Sequence, residues 1–233
     1  DYVLTLTPLR MCSQWELYKQ VSGRDGAAVS LEAESDPTQS RIVVAAANTT
    51  TRTMLERVAT RLSKSSINIH RAYLDVIGDG ENGSITLLGF VVQGPDNRAI
   101  DPSSPLWAAV RRDLIRIKWL DERTLAMAYK HADLNLPKAE VAVALADLVH
   151  QVLVKVNPYA FNPDRLGRIM ERNVGRVAKI VDLFMERFEP VHPLLDATFA
   201  QRRDALSKDM DSAVDGDDAH HAGARGDAVE QVI

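Results

Sequence analysis

An α+β fold is predicted for this chain: a β-α-β-β unit between Arg41 and Gln93, followed by a mostly helical region. Three observations predict it. Arg41 to Ala47 is an apolar run of strand length that leads directly into a helix with one apolar stripe. Two more strand-like runs, from Ile67 to Val76 and from Ser84 to Gln93, flank the glycine-rich segment Gly78 to Gly83. From Pro105 onward the apolar residues recur at three- and four-residue spacing, the period of an α-helix buried on one side.

The elements follow in order. Tyr2 to Leu6 is strand-like, and Pro8 opens a helix over Leu9 to Val21 with a stripe of Met11, Trp15, Tyr18 and Val21. Gly23 and Gly26 end it, and Ala28 to Glu34 alternates as a short strand before the turn cluster Ser35-Asp36-Pro37-Thr38. After the strand Arg41 to Ala47, Asn48-Thr49-Thr50-Thr51 supplies side chains that accept hydrogen bonds from the first amides of a helix. That helix carries Met54, Leu55, Val58, Ala59 and Leu62 on one stripe, with Arg52, Glu56, Arg57 and Arg61 on its other faces. In the next strand Ile67 and Ile69 share one parity and Ala72, Leu74 and Val76 the other, which predicts a bend or bulge near His70-Arg71. Gly78 to Gly83 is a hairpin turn, and Gly94-Pro95-Asp96 closes the unit.

The helical part begins with Leu106, Trp107, Val110, Leu114 and Ile117 on one stripe. A shorter helix covers Glu122 to Lys130, and Pro137 introduces a Val-, Ala- and Leu-rich helix over Ala139 to Val156 that reads as buried. Asn157-Pro158 breaks it. Asn162-Pro163 has the cap and first-turn residues of a long helix reaching Phe188, with Leu166, Ile169, Met170, Val177, Ile180, Val181, Phe184 and Phe188 on its stripe. Pro190 and Pro193 end it, and Gln201 to Asp227 reads as a linker, or as a helix followed by disorder. The expected domains are 1–98 for the α+β layer, 99–195 for the helical region and 196–233 for a polar linker or disordered tail.

Composition narrows the function classes. Hydrophobic residues make up 45 % and charged residues 26 % of 233, ordinary for a globular chain. A net charge of −4 lacks the basic footprint of a nucleic-acid binder, and no apolar run approaches the roughly 18 residues that span a bilayer. One cysteine, Cys12, forms no internal disulfide and leaves no Cys-based zinc site. Without a signal peptide, a cytoplasmic location is expected. The chain opens at Asp1 into a strand-like run and closes on the apolar Val229 to Ile233. Termini are usually polar and frayed, so a fragment of a longer protein is expected.

Few residues suggest chemistry. Gly78 to Gly83 leads into a strand, whereas a phosphate cradle leads into a helix N-terminus, so it is read as a turn. Asn48, Thr49, Thr50 and Thr51 do sit between a strand and a helix N-terminus. They are the candidate ligand-binding residues, for an amino acid or another small anion, with helix capping as the alternative. His220-His221 lacks the spacing of a metal site. His70 and His131 have no Ser, Cys or Asp partner arrangement, His150 reads as a hydrogen-bonded core histidine, and no catalytic residue or metal ligand is assigned. An RNA-binding sheet needs aromatic residues on adjacent central strands, for which only Tyr73 and Phe90 are candidates.

A strand, capped helix, bent strand and hairpin partner form half of a ferredoxin-like sandwich. Arg41-Ile42-Val43-Val44, Leu55-Glu56-Arg57-Val58-Ala59 and Ile67-Asn68-Ile69 together resemble an ACT regulatory domain. The helix from Pro105 matches that topology, but no fourth strand follows it, so Ala28 to Glu34 or Tyr2 to Leu6 is expected in that sheet position. Further on, Leu148-Val149-His150-Gln151-Val152-Leu153 with Asn157-Pro158-Tyr159, and Leu183-Phe184 with Arg187-Phe188-Glu189-Pro190, resemble the N-terminal region of large NAD-specific glutamate dehydrogenases. The resemblance covers most of Arg41 to Pro190. It implies a non-catalytic regulatory or assembly segment that binds no cofactor, with NAD held by a catalytic region elsewhere in the parent enzyme. It also implies a homo-oligomer and a small amino-acid effector, with no nucleic-acid or membrane partner. The other reading is a stand-alone ACT-type amino-acid-sensing or protein-interaction module.

Overall fold

A computed structural model describes residues 7–78, 83–157 and 162–209. The strand expected over Tyr2 to Leu6, the tip of the Gly78 to Gly83 turn, His220-His221 and Val229 to Ile233 lie outside the described residues. The fold is α+β, and the chain divides into two compact units, Asp1–Leu120 and Asp121–Ile233.

The first unit contains α1 (Pro8–Val21), β1 (Ala27–Ala33), β2 (Ser40–Ala47), α2 (Thr51–Lys64), β3 (Asn68–Gly78), β4 (Ser84–Gln93) and α3 (Pro105–Arg116). The four strands form one antiparallel sheet in the order β1-β2-β4-β3. The position beside β2 is therefore filled by a strand from before the β-α-β-β unit, one of the two candidates read from the sequence. β2 is buried along its whole length because both of its faces are covered. Val43, Ala45 and Ala47 pack with Leu17 and Val21 of α1 and with Ile85 and Leu87. Ile42, Val44 and Ala46 turn to the opposite face, where Met54, Val58 and Leu62 of α2 and Val110 and Leu114 of α3 are fully buried. The continuous apolar run of β2 is the sequence form of that two-sided burial.

The bulge falls where the change of parity places it, with a register shift between Ile69 and Arg71. Other details differ from expectation. In α1 the buried positions are Gln14, Leu17 and Val21, while Trp15 lies on the surface, its ring stacked on Tyr18 at 5.1 Å. Arg57 and Arg61 are not surface decoration. Arg61 donates through Nε (2.9 Å) and Nη2 (2.6 Å) to the buried Asp113 of α3. Arg57 donates to the carbonyls of Ile117, Lys118 and Leu120 at 2.9–3.2 Å, a cation at the end of α3 where the helix dipole is negative.

The second unit contains α4 (Glu122–Lys130), α5 (Leu136–Leu153), α6 (Pro163–Arg172) and α7 (Val174–Arg187), with further helix over residues 196–209. Asp121, Asn135 and Asn162 cap α4, α5 and α6 by accepting from the amides of Thr124, Lys138 and Arg165. The core joins Met127, Leu134, Ala139, Ala142, Val143, Ala178 and Val181. The long helix expected from Asn162 to Phe188 is two helices, because Asn173 leaves helical geometry (φ −115°, ψ 31°). Its side-chain amide donates to the Ile169 carbonyl, closing α6, and its side-chain oxygen accepts from Arg176 of α7. α5 is not buried throughout: Leu148, Val149 and Val152 are exposed. Among the described residues, no helix is long and apolar enough to cross a membrane.

Candidate functional site

Asn48, Thr49 and Thr50 lie between β2 and α2, and Thr51 is the first residue of α2. Asn48 adopts φ +51°, a left-handed conformation that asparagine tolerates better than most residues, and its amide donates to the Ser84 carbonyl at 3.1 Å. Gly83 (φ +78°) lies against it: a Cβ there would stand 2.5 Å from Asn48 Oδ1. Three residues from distant parts of the first unit converge on the same place. Lys118 Nζ donates to Asp25 Oδ1 and to the Ala47 carbonyl, each at 2.5 Å, and Trp119 Nε1 reaches Asp25 Oδ2 at 3.3 Å. The hydrogen bond from Lys118 holds the Asp25 carboxyl below its ordinary range, with Trp119 and the Asn48 side chain adding to it. The Lys118 side chain is buried, where an unpaired charge would be costly, and Asp25 supplies the opposite charge.

Three of the Asn48 to Thr51 side chains bond to neighbours within the first unit. Asn48 bonds Asp25, Thr50 Oγ1 donates to Thr53 Oγ1 at 2.7 Å, and Thr51 Oγ1 lies 3.3 Å from the buried Thr86 Oγ1. The capping expectation is corrected in detail: Thr50 occupies the N-cap of α2, yet its side chain accepts no bond from a helix amide. The arrangement ties the ends of β2, α1 and α3 together. Asp25, Lys118 and Trp119 were not read from the sequence, where 93 residues separate the first two and no local pattern marks them.

The feature with no counterpart inside the unit is β3. It is an outer strand of 11 residues, exposed along nearly its whole length. Tyr73, Leu74 and Val76 are 43 %, 46 % and 54 % exposed, an apolar load unusual for a strand whose outer backbone edge is open. The other outer strand, β1, is flanked by α1 and α3. Tyr73 leans inward over Gly89, whose lack of a side chain makes room, and its ring lies 4.9 Å from the Arg41 guanidinium. Phe90 is buried and pairs with Ala72, so it projects from the face opposite Tyr73, and the two form no joint stacking platform.

In the second unit a cleft of about 280 Å³ opens between α4, α5 and α6, floored by Met127, Val143, Leu166 and Met170. His150 lines it and is half-buried rather than a core residue. Its rim charges are paired. Arg123 makes a two-pronged bond to Asp147 (3.0 and 2.8 Å), which raises the guanidinium pKa, and Lys130 holds Glu171 at 2.6 Å, which lowers that carboxyl. Among the described residues no group of His, Cys, Asp and Glu is placed to hold a metal ion. Compared with known proteins, the chain matches no family model and no curated protein.

Proposed function

We propose that this chain is a regulatory and assembly segment of an NAD-dependent glutamate dehydrogenase, a cytoplasmic enzyme that converts L-glutamate to 2-oxoglutarate and ammonia, and that its role there is chiefly assembly. The enzyme assignment rests on the resemblance carried by Arg41 to Pro190. The ferredoxin-like, ACT-type reading is supported by the sheet order β1-β2-β4-β3. In that layer β1 takes the place of the strand that would otherwise follow α3.

One observation carries the assembly role: β3 presents an open backbone edge and exposed apolar side chains along 11 residues. An edge of that length is a template for pairing with another strand, and β3 is neither shortened nor covered. The engagement of Asn48, Thr50 and Thr51 with neighbours inside the unit weighs toward holding subunits together rather than capturing an amino acid. Light scattering over a range of concentrations tests the role. A mass that rises reversibly from one chain to two or more is expected, and a strict monomer at hundreds of micromolar would sink it.

A further inference from the structure

We infer that the partner of β3 is β3 of a second copy of this chain, paired antiparallel about a twofold axis at Tyr73. This deepens the assembly reading above and rests on it.

The strand is self-complementary about that residue. With Tyr73 opposite Tyr73 of the second copy, Arg71 of each chain stands opposite Asp75 of the other, and Ala72 opposite Leu74. Arg71, Tyr73 and Asp75 project from one face of the sheet and Ala72, Leu74 and Val76 from the other, so every pair lies on a shared face. No other in-phase twofold register pairs the charges. Centring on Arg71 or Asp75 sets like charges against each other, and centring on Ala72 or Leu74 sets Arg71 and Asp75 against uncharged residues. A shift by one residue turns the apolar set of one chain to the opposite face.

The two charges are left free by their own chain to pair with those of a second copy. Four residues apart on one strand, they are separated by about 13 Å, too far to pair with each other. Among the described residues neither the Arg71 nor the Asp75 side chain makes a hydrogen bond or ion pair. The bulge between Ile69 and Arg71 lies just before this stretch, which leaves the run from Arg71 to Gly78 in regular register with β4. Tyr73 folds inward over Gly89, away from the backbone edge that the second copy would use.

A charge-exchange experiment on the full chain tests the register. Arg71→Asp alone would place two acidic pairs across the axis and Asp75→Arg alone two basic pairs, so each should weaken self-association at least tenfold. Mixing the two variants restores both opposite-charge pairs, and association should return to near the parental level, as it should in the double variant R71D/D75R. The double variant carries both reversals on one chain and so decides the matter even where a single reversal folds poorly. Single variants that associate like the parent, or a mixture and a double variant that both stay weak, would overturn the register and leave assembly through another contact. A parent that is itself monomeric would remove the assembly reading and the register together.

Discussion

Two guanidinium groups converge on the Glu34 carboxylate: Arg41 Nε at 2.6 Å and Arg10 Nη2 at 2.8 Å. Burial of Glu34 favours its neutral form, but the Arg41 bond, with Arg10 and the Ser35 amide, outweighs it and holds the carboxyl below its ordinary value of 4.5. A pKa lowered on folding contributes stability above the unfolded value and loses it as the pH falls through the folded one. Glu34→Gln should therefore cost about 1–3 kcal/mol at neutral pH, the range for a charge-assisted hydrogen bond in a partly buried place. That difference should shrink as the pH drops below 4.5. Urea melts of both proteins across the acid range check this, and a gap that stays constant with pH would contradict it. Arg41 itself was read only as the start of an apolar strand. Its burial could not be seen, because the carboxylate and ring that receive it are brought together only by the sheet.

Among the elements, α2 and β2 were the most legible. Met54, Val58 and Leu62 recur at four-residue spacing and are all fully buried, and the run Ile42 to Ala47 is buried on both faces. Val58→Asp should place an unpaired charge between α2 and the sheet and destabilise the first unit by several kcal/mol, on the order of 3–5. A variant that melts with the parent would show this face to be accessible to water. The bulge in β3 was legible too, because side-chain alternation has a period of two and one extra residue reverses it. Less could be read of the break at Asn173, since asparagine is only a weak helix breaker and its capping bonds exist only once both helices form. The α1 stripe was misread for a related reason: Trp15 finds an apolar partner in Tyr18 on the surface of its own helix. Similarly, nothing local distinguishes Arg57 and Arg61 from solvent-facing arginines until α3 is laid beside α2.

At the scale of the whole molecule, the α+β class and the order of elements were carried by periodicity. The placement of β1 beside β2 was open, because a hairpin partner and a strand from further away satisfy the same pattern. The junction at Asn48 to Thr51 was legible as a strand-to-helix turn, but not the Asp25, Lys118 and Trp119 cluster that fills it. The charges of β3 are plain in the sequence, yet they acquire meaning only when the sheet order leaves that strand at an edge. Amide hydrogen exchange of the intact chain at low and high protein concentration tests the pairing of that edge most directly. Protection that rises with concentration and is concentrated in Asn68–Gly78 is the predicted result. Exchange in that strand that is rapid and independent of concentration, while the chain associates or remains single, would contradict it.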